Sequence, residues 1–357
     1  MRWPLIAGLL LLLLWAGTRE QSQGAWSPPP DPPGFAPLQY PSDNPTTRAG
    51  HDLGRRLFFD PILSRDSTVS CASCHRPELA FSDGRPRSRG VGGRRGRRNA
   101  PGLANVGYLH RTLFWDGRAD DLEAQALHPI ADPDEMGGSW PAVLAKLRRH
   151  PRYPARFRAA FGPGVSLTPH LVGRALAQFQ RTLVSATSKY DRVRAGRDTF
   201  TAAEALGHAI FFDLADERDG PYGHLPTGEC AHCHTPPHFT NQKFFNNGLD
   251  PASEPADFPD AGRGGVTGNP LENGLFRTPG LRNVALTAPY MHDGRMATLA
   301  EVVDHYDRGG HYAANRSPNV APLGLDSVQR AALVAFLHTL TDPSFVQNPA
   351  HQPPPAE

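Results

Sequence analysis

Apolar residues recur at helical spacing in two pairs of segments that lie far apart in the chain. In residues 53–60 and again in residues 206–213, apolar side chains fall on one helical face and the run ends at an aspartate. Residues 175–183 and 332–340 predict a second pair of amphipathic helices. No stretch alternates apolar and polar residues over the length of a substantial strand. The pattern therefore predicts a mainly α fold.

The two pairs of predicted helices belong to an internal duplication. Residues 98–106 parallel residues 277–284, and the triplet Asp-Gly-Arg at 116–118 occurs again at 293–295. Such self-similarity indicates one structural unit built twice. The polar stretch 185–200 lies between the two copies, and we expect the boundary there.

Each copy carries one Cys-x-x-Cys-His motif, which is the attachment signature of c-type haem. The two motifs use all 4 cysteines of the chain. Two thiols on one turn can each form a thioether with a haem vinyl group, and the following histidine reaches the iron as proximal ligand. The predicted attachment residues are Cys71, Cys74 and His75 in the first copy and Cys230, Cys233 and His234 in the second.

Two other interpretations of the cysteines are weaker. A zinc site built from two Cys-x-x-Cys pairs would leave both trailing histidines unexplained, and zinc-ribbon pairs lie closer together in sequence. A disulfide framework is not expected in a chain this long.

A helix, a haem motif, a loop and a closing helix make up the plan of a cytochrome c domain. The sequence thus predicts two tandem cytochrome c-like domains, each with one covalently bound c-type haem, in agreement with a length of 357 residues. We expect these segments: 1–20, a signal peptide; 21–46, an extended proline-rich lead-in; 47–190, the N-terminal domain; 191–345, the C-terminal domain; and 346–357, a tail resembling the lead-in.

Charge and targeting signals limit the possible partners. The formal net charge of +2 implies no bulk affinity for nucleic acid or anionic membranes. The positively charged start and short apolar run predict secretion, and the run is too short for a stable membrane span. Haem attachment and export together predict a periplasmic protein.

One segment is strongly basic. Between Arg85 and Arg98 there are seven arginines, interleaved with glycines, and no acidic residue. We favour a solvated flexible loop as the interpretation. The alternatives are a mobile loop over the first haem or a docking surface for an acidic partner.

The duplication also allows the two haem pockets to be compared. Thirteen residues after the aspartate of each Asp-Gly-Arg triplet, the first copy has Pro129 and the second has Tyr306. A proline offers the iron no ligand, whereas a tyrosine phenolate would close the second iron. A histidine precedes each position, His128 and His305, and only one of two adjacent helical residues can face the haem.

Spacing alone does not decide between these neighbours. Methionine is common in electron-transfer haems, so Met291 and Met296 are further candidates for the second iron.

The motifs now resemble those of a family, the bacterial di-haem cytochrome c peroxidases, and within it the MauG-like branch. The resemblance extends from about Thr47 to Asp342. It rests on the segments 114–118 (Phe-Trp-Asp-Gly-Arg), 122–126 (Leu-Glu-Ala-Gln-Ala), 134–137 (Asp-Glu-Met-Gly) and 286–294 (Leu-Thr-Ala-Pro-Tyr-Met-His-Asp-Gly), together with Pro129, Leu299 and Tyr306.

The resemblance implies a function for each haem. The N-terminal haem would be peroxidatic, with Gln125 and Glu135 over its open iron. The C-terminal haem would be six-coordinate with Tyr306 as distal ligand, which is the MauG-like feature, and Trp115 would lie between the haems. It also implies a calcium ion between the haems, at Asn99, Thr287 and Pro289.

The chemistry of these residues agrees with the implied functions. Cleaving peroxide needs a base that takes one proton and returns it to the departing oxygen, and Glu135 can do so. Gln125 can hold peroxide or water by hydrogen bonding, and the ring of Trp115 can relay electrons. The alternatives are a helix N-terminal charge for Glu135, a surface helix residue for Gln125 and a core aromatic for Trp115.

Two departures from the family pattern bear on mechanism. The loop histidine that blocks the first iron in many of these peroxidases has no counterpart, because residues 76–98 contain no histidine. Reductive activation by that route is therefore in doubt. MauG itself has a surface tryptophan two residues before its second motif, where this chain has Gly228, so the same exit path and substrate are also in doubt.

The sequence as a whole predicts a periplasmic di-haem peroxidase that reacts with hydrogen peroxide. It would either reduce peroxide with electrons from a small redox protein or oxidise a protein partner. The alternatives are a di-haem electron-transfer cytochrome, which would need both irons closed by side chains, and a haem-based sensor.

Overall fold

A computed structural model describes residues 26–109, 113–214 and 225–355. The predicted signal peptide, residues 1–20, lies outside them. Over the described ranges the chain is mainly helical, as predicted, with one two-stranded antiparallel sheet. None of the helices in these ranges has the length and apolar character needed to cross a bilayer.

The helices of the first half lie on both sides of the first motif in the sequence. They are α1 (Arg48–Phe59), α2 (Leu122–Gln125), α3 (Leu127–Ala131), α4 (Trp140–Arg149), α5 (Tyr153–Phe161) and α6 (Pro169–Gln180). The first motif itself begins with a 3-10 turn, Cys71–Ser73.

The second half repeats this plan after a short connecting helix. Its elements are α7 (Lys189–Arg194), α8 (Ala202–Phe211), α9 (Cys230–Cys233), β1 (Phe244–Phe245), α10 (Gly264–Thr267), β2 (Phe276–Arg277), α11 (Leu299–Asp307), α12 (Ser327–His338) and α13 (Pro343–Gln347). Strand β1 pairs with β2 so that Phe244 lies opposite Arg277.

Side-chain caps fix where the matching helices begin. Thr47 accepts a hydrogen bond from Gly50 N at the start of α1, and Thr201 forms a capping box with Glu204 at the start of α8. These caps satisfy backbone N–H groups that have no partner within the helix. The predicted helices are confirmed over residues 53–59 and 206–211.

In each half, two helices that match in the duplication pack in close contact. A Cβ atom built on Gly54 of α1 would lie 1.9 Å from Ala175 O of α6, and one built on Gly207 of α8 would lie 2.0 Å from Ala332 O of α12. These four residues occupy matching positions in the duplication, so both helix pairs depend on a glycine for their contact.

Two matching asparagines connect the closing helices to the rest of the chain. Asn105 and Asn283 both have left-handed backbones, with φ of 60° and 62°. Their N–H groups donate to Leu183 O and Leu340 O, at 2.8 and 3.0 Å. Asparagine tolerates this conformation better than most residues, which explains the residue type at both positions.

Each half has its own hydrophobic core, but the C-terminus joins the first one. Phe345 is 2% exposed and packs among the buried residues of the N-terminal half. Residues Pro349–His351 form a 3-10 turn and His351 is buried. The prediction of an extended tail like the lead-in is therefore wrong from Pro349 to His351, because the tail covers apolar surface of the first core.

The described part of the lead-in, residues 26–46, contains no helix or strand, in agreement with the prediction. It nevertheless packs on the body. Leu38 is 7% exposed, and the Tyr108 hydroxyl donates to Asp31 Oδ1 at 2.9 Å. The proline-rich composition thus describes the conformation of this segment but not its contacts.

Candidate haem sites

Each motif holds its histidine by a backbone hydrogen bond. His75 Nδ1 donates to Phe81 O at 2.7 Å, and His234 Nδ1 donates to Phe239 O at 3.0 Å. With Nδ1 used in this way, Nε2 is the nitrogen left for a metal, as in most histidine ligands of metals. Burial lowers the pKa of both imidazoles, which favours the neutral form that binds metals.

The second motif opens into a cavity between the two halves. Cys230, Cys233 and His234 line it, together with Tyr306 and Met291. The attachment cysteines, the proximal histidine and a possible distal ligand therefore share one space. This donor set fits a covalently bound haem with two protein ligands to its iron.

A buried arginine in the same cavity supports this fit. Arg277 is 5% exposed, and desolvation by burial lowers its pKa to about 10. Its Nε donates to Phe114 O at 3.1 Å, but no carboxylate among the described residues pairs with it. Buried charges are normally paired, so the site fits an anionic group such as a haem propionate.

The matching arginine of the first half has its counter-charges within the chain. Arg98 contacts Asp116 at 2.5 Å and Asp260 at 2.7 Å; burial lowers the pKa of its guanidinium, but the hydrogen bonds that it donates to these two carboxylates outweigh this effect and raise the pKa. The contrast with Arg277 shows that the duplication conserved the residue type but not its environment.

Tyr306 and His305 differ in what they face. The His305 ring is buried, and its Nε2 lies 2.9 Å from Asn247 O. Tyr306 lines the cavity, and burial raises the pKa of its hydroxyl to about 12. The phenol is therefore neutral at ordinary pH unless a nearby positive charge, such as a ferric iron, removes its proton.

The two candidate methionine ligands also differ in their position relative to the cavity. Met291 lines the cavity, whereas Met296 is not among the lining residues and its backbone pairs with that of Tyr290. Asn247 donates from Nδ2 to Tyr306 Oη at 3.3 Å and to Met291 Sδ at 3.4 Å. Sequence reasoning missed Asn247, since it belongs to no motif and its contacts all come from distant segments.

The first site brings Glu135 close to its attachment cysteines. Burial raises the pKa of the Cys71 and Cys74 thiols, and the charge of Glu135 adds to the rise at both. Burial raises the pKa of the Glu135 carboxyl itself, and Asp132 adds to this effect. Glu135 lies in a turn between α3 and α4, so the alternative of a helix N-terminal charge is wrong.

Other predicted residues of the first site lie nearby. Glu135, His128 and Arg118 line one cavity. Gln125 ends α2 and Pro129 lies in α3; both are half-buried, but neither is among the residues lining that cavity. Their position over the first iron remains a prediction, and sequence reasoning missed Arg118 as a neighbour of Glu135.

The residues assigned to the space between the haems lie together. Trp115, Asn99, Thr287 and Pro289 all line the cavity of the second motif. Trp115 Nε1 donates to Asn99 O at 2.9 Å, and Trp115 O accepts from Arg277 N at 2.8 Å. The Asn99 amide nitrogen donates to Arg85 O, which leaves its oxygen as the atom suited to a cation such as calcium.

The comparisons with known proteins agree with these sites. Residues 48–199 match the family model of the di-haem cytochrome c peroxidases. Methylamine utilization protein MauG of Methylorubrum extorquens is 39% identical over 318 residues, which cover 87% of this chain and 84% of that protein. The chain belongs to the di-haem cytochrome c peroxidase family. The predicted resemblance and the class of enzyme, an oxidoreductase, are thereby confirmed.

Other proteins also match this chain over most of its length. Cytochrome-c peroxidase IdrP1 of Pseudomonas sp. (strain SCT) is 35% identical, with 99% of this chain and 98% of that protein covered. The crystal structure of a MauG-like protein associated with microbial copper homeostasis has 37% identity and a TM-score of 0.78, covering 90% of this chain and 98% of the other. The diheme peroxidase BthA of Burkholderia thailandensis has 29% identity and a TM-score of 0.72, covering 85% and 88%.

Proposed function

We propose that this protein is a periplasmic enzyme that consumes hydrogen peroxide at the first motif. One peroxide, two electrons and two protons give two water molecules. The electrons come from a protein partner, either a small redox carrier or a protein that is itself oxidised as substrate. The observation that carries the proposal is a half-buried carboxyl, Glu135, near the attachment cysteines of the first motif and lining a cavity with Arg118 and His128.

We assign the haem groups to the two motifs. Cys71, Cys74 and His75 would hold the first, and Cys230, Cys233 and His234 the second, with Tyr306 as its distal ligand. When bound, the haem iron supplies the site at which the oxygen–oxygen bond of peroxide is cleaved.

Protein side chains would move the protons and hold the peroxide. Glu135 takes a proton from the near oxygen of peroxide and returns it to the far oxygen, which leaves as water. Its raised pKa suits this exchange, because a base works best when its pKa lies near the working pH. Gln125 would hold the peroxide through its amide without changing protonation state.

Trp115 and the proposed calcium site would connect the two halves. The Trp115 ring lies in the cavity wall and its backbone joins Arg277 of the second half, so the ring is suited to relay electrons. Calcium bound by Asn99, Thr287 and Pro289 would fix this junction through oxygen ligands from both halves.

The proposal is tested by mass spectrometry and rapid mixing. We expect the mature protein to carry two covalent haem groups, and we expect the fully ferric protein to react with peroxide without added reductant. The reason is that Pro129 offers no ligand and residues 76–98 contain no histidine. A protein without covalent haem would overturn the assignment.

A ferric protein that stays inert would point to another ligand on the first iron. His128 lines the cavity with Glu135, so His128→Leu tests this outcome. If neither the parent protein nor His128→Leu reacts, with or without an added electron, the chain is a di-haem electron-transfer cytochrome instead.

A further inference from the structure

The basic segment forms a concentrated positive patch on a chain that is almost neutral. The arginine loop, residues 85–97, carries six arginines, whereas the formal net charge of the whole chain is +2. All six of these arginines are exposed; they are Arg85, Arg87, Arg89, Arg94, Arg95 and Arg97. The patch is therefore a local feature of the surface.

Most of this charge has no counter-charge among the residues that the structure describes. Arg94 lies 3.6 Å from Asp134 and Arg97 lies 3.8 Å from Asp132. The other four arginines of the loop form no ion pair with a described residue; they are Arg85, Arg87, Arg89 and Arg95. Their charges are thus available to a partner.

The loop is anchored and presents these side chains from a defined surface. Val91 is 1% exposed, and its N–H donates to Glu135 O at 2.7 Å. Gly96 N donates to Ser88 O at 3.0 Å across the loop. A Cβ atom on Gly90 would lie 2.2 Å from Asp134 O, so the backbone packs directly on the turn that carries Glu135.

The loop also lies against the first haem site. Ser88 lies beside Cys74, whose sulfur stands here for the thioether sulfur of an attached haem. The Arg85 carbonyl accepts from Asn99 Nδ2 at 2.9 Å, next to the junction of the two halves. A partner on this surface would be adjacent to the first motif.

We propose that the arginine loop is the docking surface for an acidic protein that gives up electrons to this enzyme. The inference rests on the proposed function, which needs such a partner to supply two electrons for each peroxide. The partner loses one electron in each encounter, so two encounters reduce one peroxide with the uptake of two protons.

The chemistry of the loop favours a protein over other polyanions. Its only large apolar residue, Val91, is buried, so the loop has no apolar side chain to insert into a membrane. It contains no aromatic residue that could stack on a nucleic-acid base. Complementary charge alone is sufficient to orient an acidic redox protein and raise its association rate.

A chemically matched pair of probes tests the proposal. Native cytochrome c of the basic mitochondrial type and its fully succinylated, acidic form are supplied, reduced, to the di-haem holoenzyme with peroxide. We expect the succinylated form to be oxidised with a kcat/KM about 10-fold or more above that of the native form at low salt, and we expect this advantage to vanish at high salt.

A quadruple variant then locates the surface. Replacing Arg85, Arg87, Arg89 and Arg95 by glutamine is expected to lower kcat/KM for the succinylated probe by about 10-fold or more and to flatten its salt dependence. The control quadruple replaces exposed arginines elsewhere, Arg149, Arg158, Arg194 and Arg197, and is expected to change kcat/KM by less than about twofold.

The experiments distinguish a failure of the proposed function from a failure of the proposed docking surface. If the holoenzyme does not consume peroxide with any reductant, the proposed function fails. If it does, but the two quadruple variants behave alike, the docking surface is wrong. Binding of duplex DNA or anionic phosphatidylserine vesicles that depends on the loop, without an effect on the succinylated probe, would also overturn it.

Discussion

At the scale of single residues, burial sets the protonation of both candidate iron sites. It raises the pKa of the Glu135 carboxyl and that of the Tyr306 hydroxyl, in each case because the charged form loses its hydration. For Glu135 the shift moves a carboxyl toward the range useful for proton transfer. For Tyr306 it means that the phenolate needs a nearby positive charge, such as a ferric iron, to form at ordinary pH.

Glu135→Gln is expected to slow the reaction of the ferric protein with peroxide by about 100-fold or more, the usual effect of one lost acid–base group. Stopped-flow mixing measures this rate. The neighbouring carboxylate gives a matched control, since Asp134→Asn leaves the proposed base in place. Rates within a few-fold of the parent protein would remove Glu135 from the mechanism.

The same residue should set the pH dependence of the reaction. A base must be ionised to act, so the rate is complete above the folded pKa and declines as the pH falls through it. Because burial raises this pKa from its ordinary value of 4.5, we expect the decline above pH 4.5. The Glu135→Gln variant should lack this decline, and an unchanged profile would assign it to another group.

Tyr306→Phe is expected to change the ferric EPR and near-infrared spectra of the second haem, because it removes the proposed distal ligand. Met296→Leu serves as the control, since Met296 is not among the residues lining the cavity. Met291→Leu tests the competing ligand within the cavity. A spectrum altered only by a methionine substitution would make the MauG-like assignment wrong.

At the scale of elements, both halves contain a helix pair whose contact leaves no room for a side chain. The pairs α1 with α6 and α8 with α12 both meet at a glycine. The caps at Thr47 and Thr201 and the left-handed Asn105 and Asn283 repeat in the same way. The sequence similarity of the two halves thus records shared packing as well as shared chemistry.

Gly54→Ala and Gly207→Ala are each expected to destabilise the protein by about 1–3 kcal/mol, because the new methyl group would overlap a backbone carbonyl. Thermal unfolding of the holo-protein measures the effect. The control is Gly265→Ala in α10, where a Cβ atom would meet its nearest neighbour at an ordinary 3.5 Å. Equal stability of all three variants would contradict the close contact.

At the scale of the whole molecule, the lead-in and the C-terminal segment both pack on the first half. The lead-in packs through Leu38, and the C-terminal segment packs through Phe345 on the side of the first core. Phe345 and His351 both contact the ring of Phe81, with ring centroids 5.8 and 6.2 Å apart. Phe81 O in turn accepts the hydrogen bond that orients His75.

Phe345→Ala is therefore expected to cost about 3–5 kcal/mol of stability, the usual range for removing a buried phenylalanine. The first haem should be affected more than the second, because the cavity opens beside the segment that holds His75. Denaturant unfolding followed in the haem absorption bands measures both effects. Leu271→Ala, at a residue that is 70% exposed, is the control and should be nearly neutral.

The sequence by itself determined the features that depend on local spacing. Two thiols and a histidine on one turn define a haem attachment motif wherever it lies, and the repeats and helical patterns need only neighbours in sequence. The mainly helical fold followed from these patterns, and the family and the class of enzyme followed from the resemblance of the motifs to a known family. The segments that carry Glu135, Trp115 and Tyr306 were part of the same resemblance.

Only the tertiary structure decided what each side chain faces. Tyr306 and His305 are adjacent in sequence, yet Tyr306 lines the cavity while the His305 ring bonds to a distant carbonyl. Arg98 and Arg277 are equivalent in the duplication, yet of the two only Arg98 pairs with carboxylates among the described residues. Burial and charge at a site arise from segments far apart in the chain, and no local pattern records which of them meet.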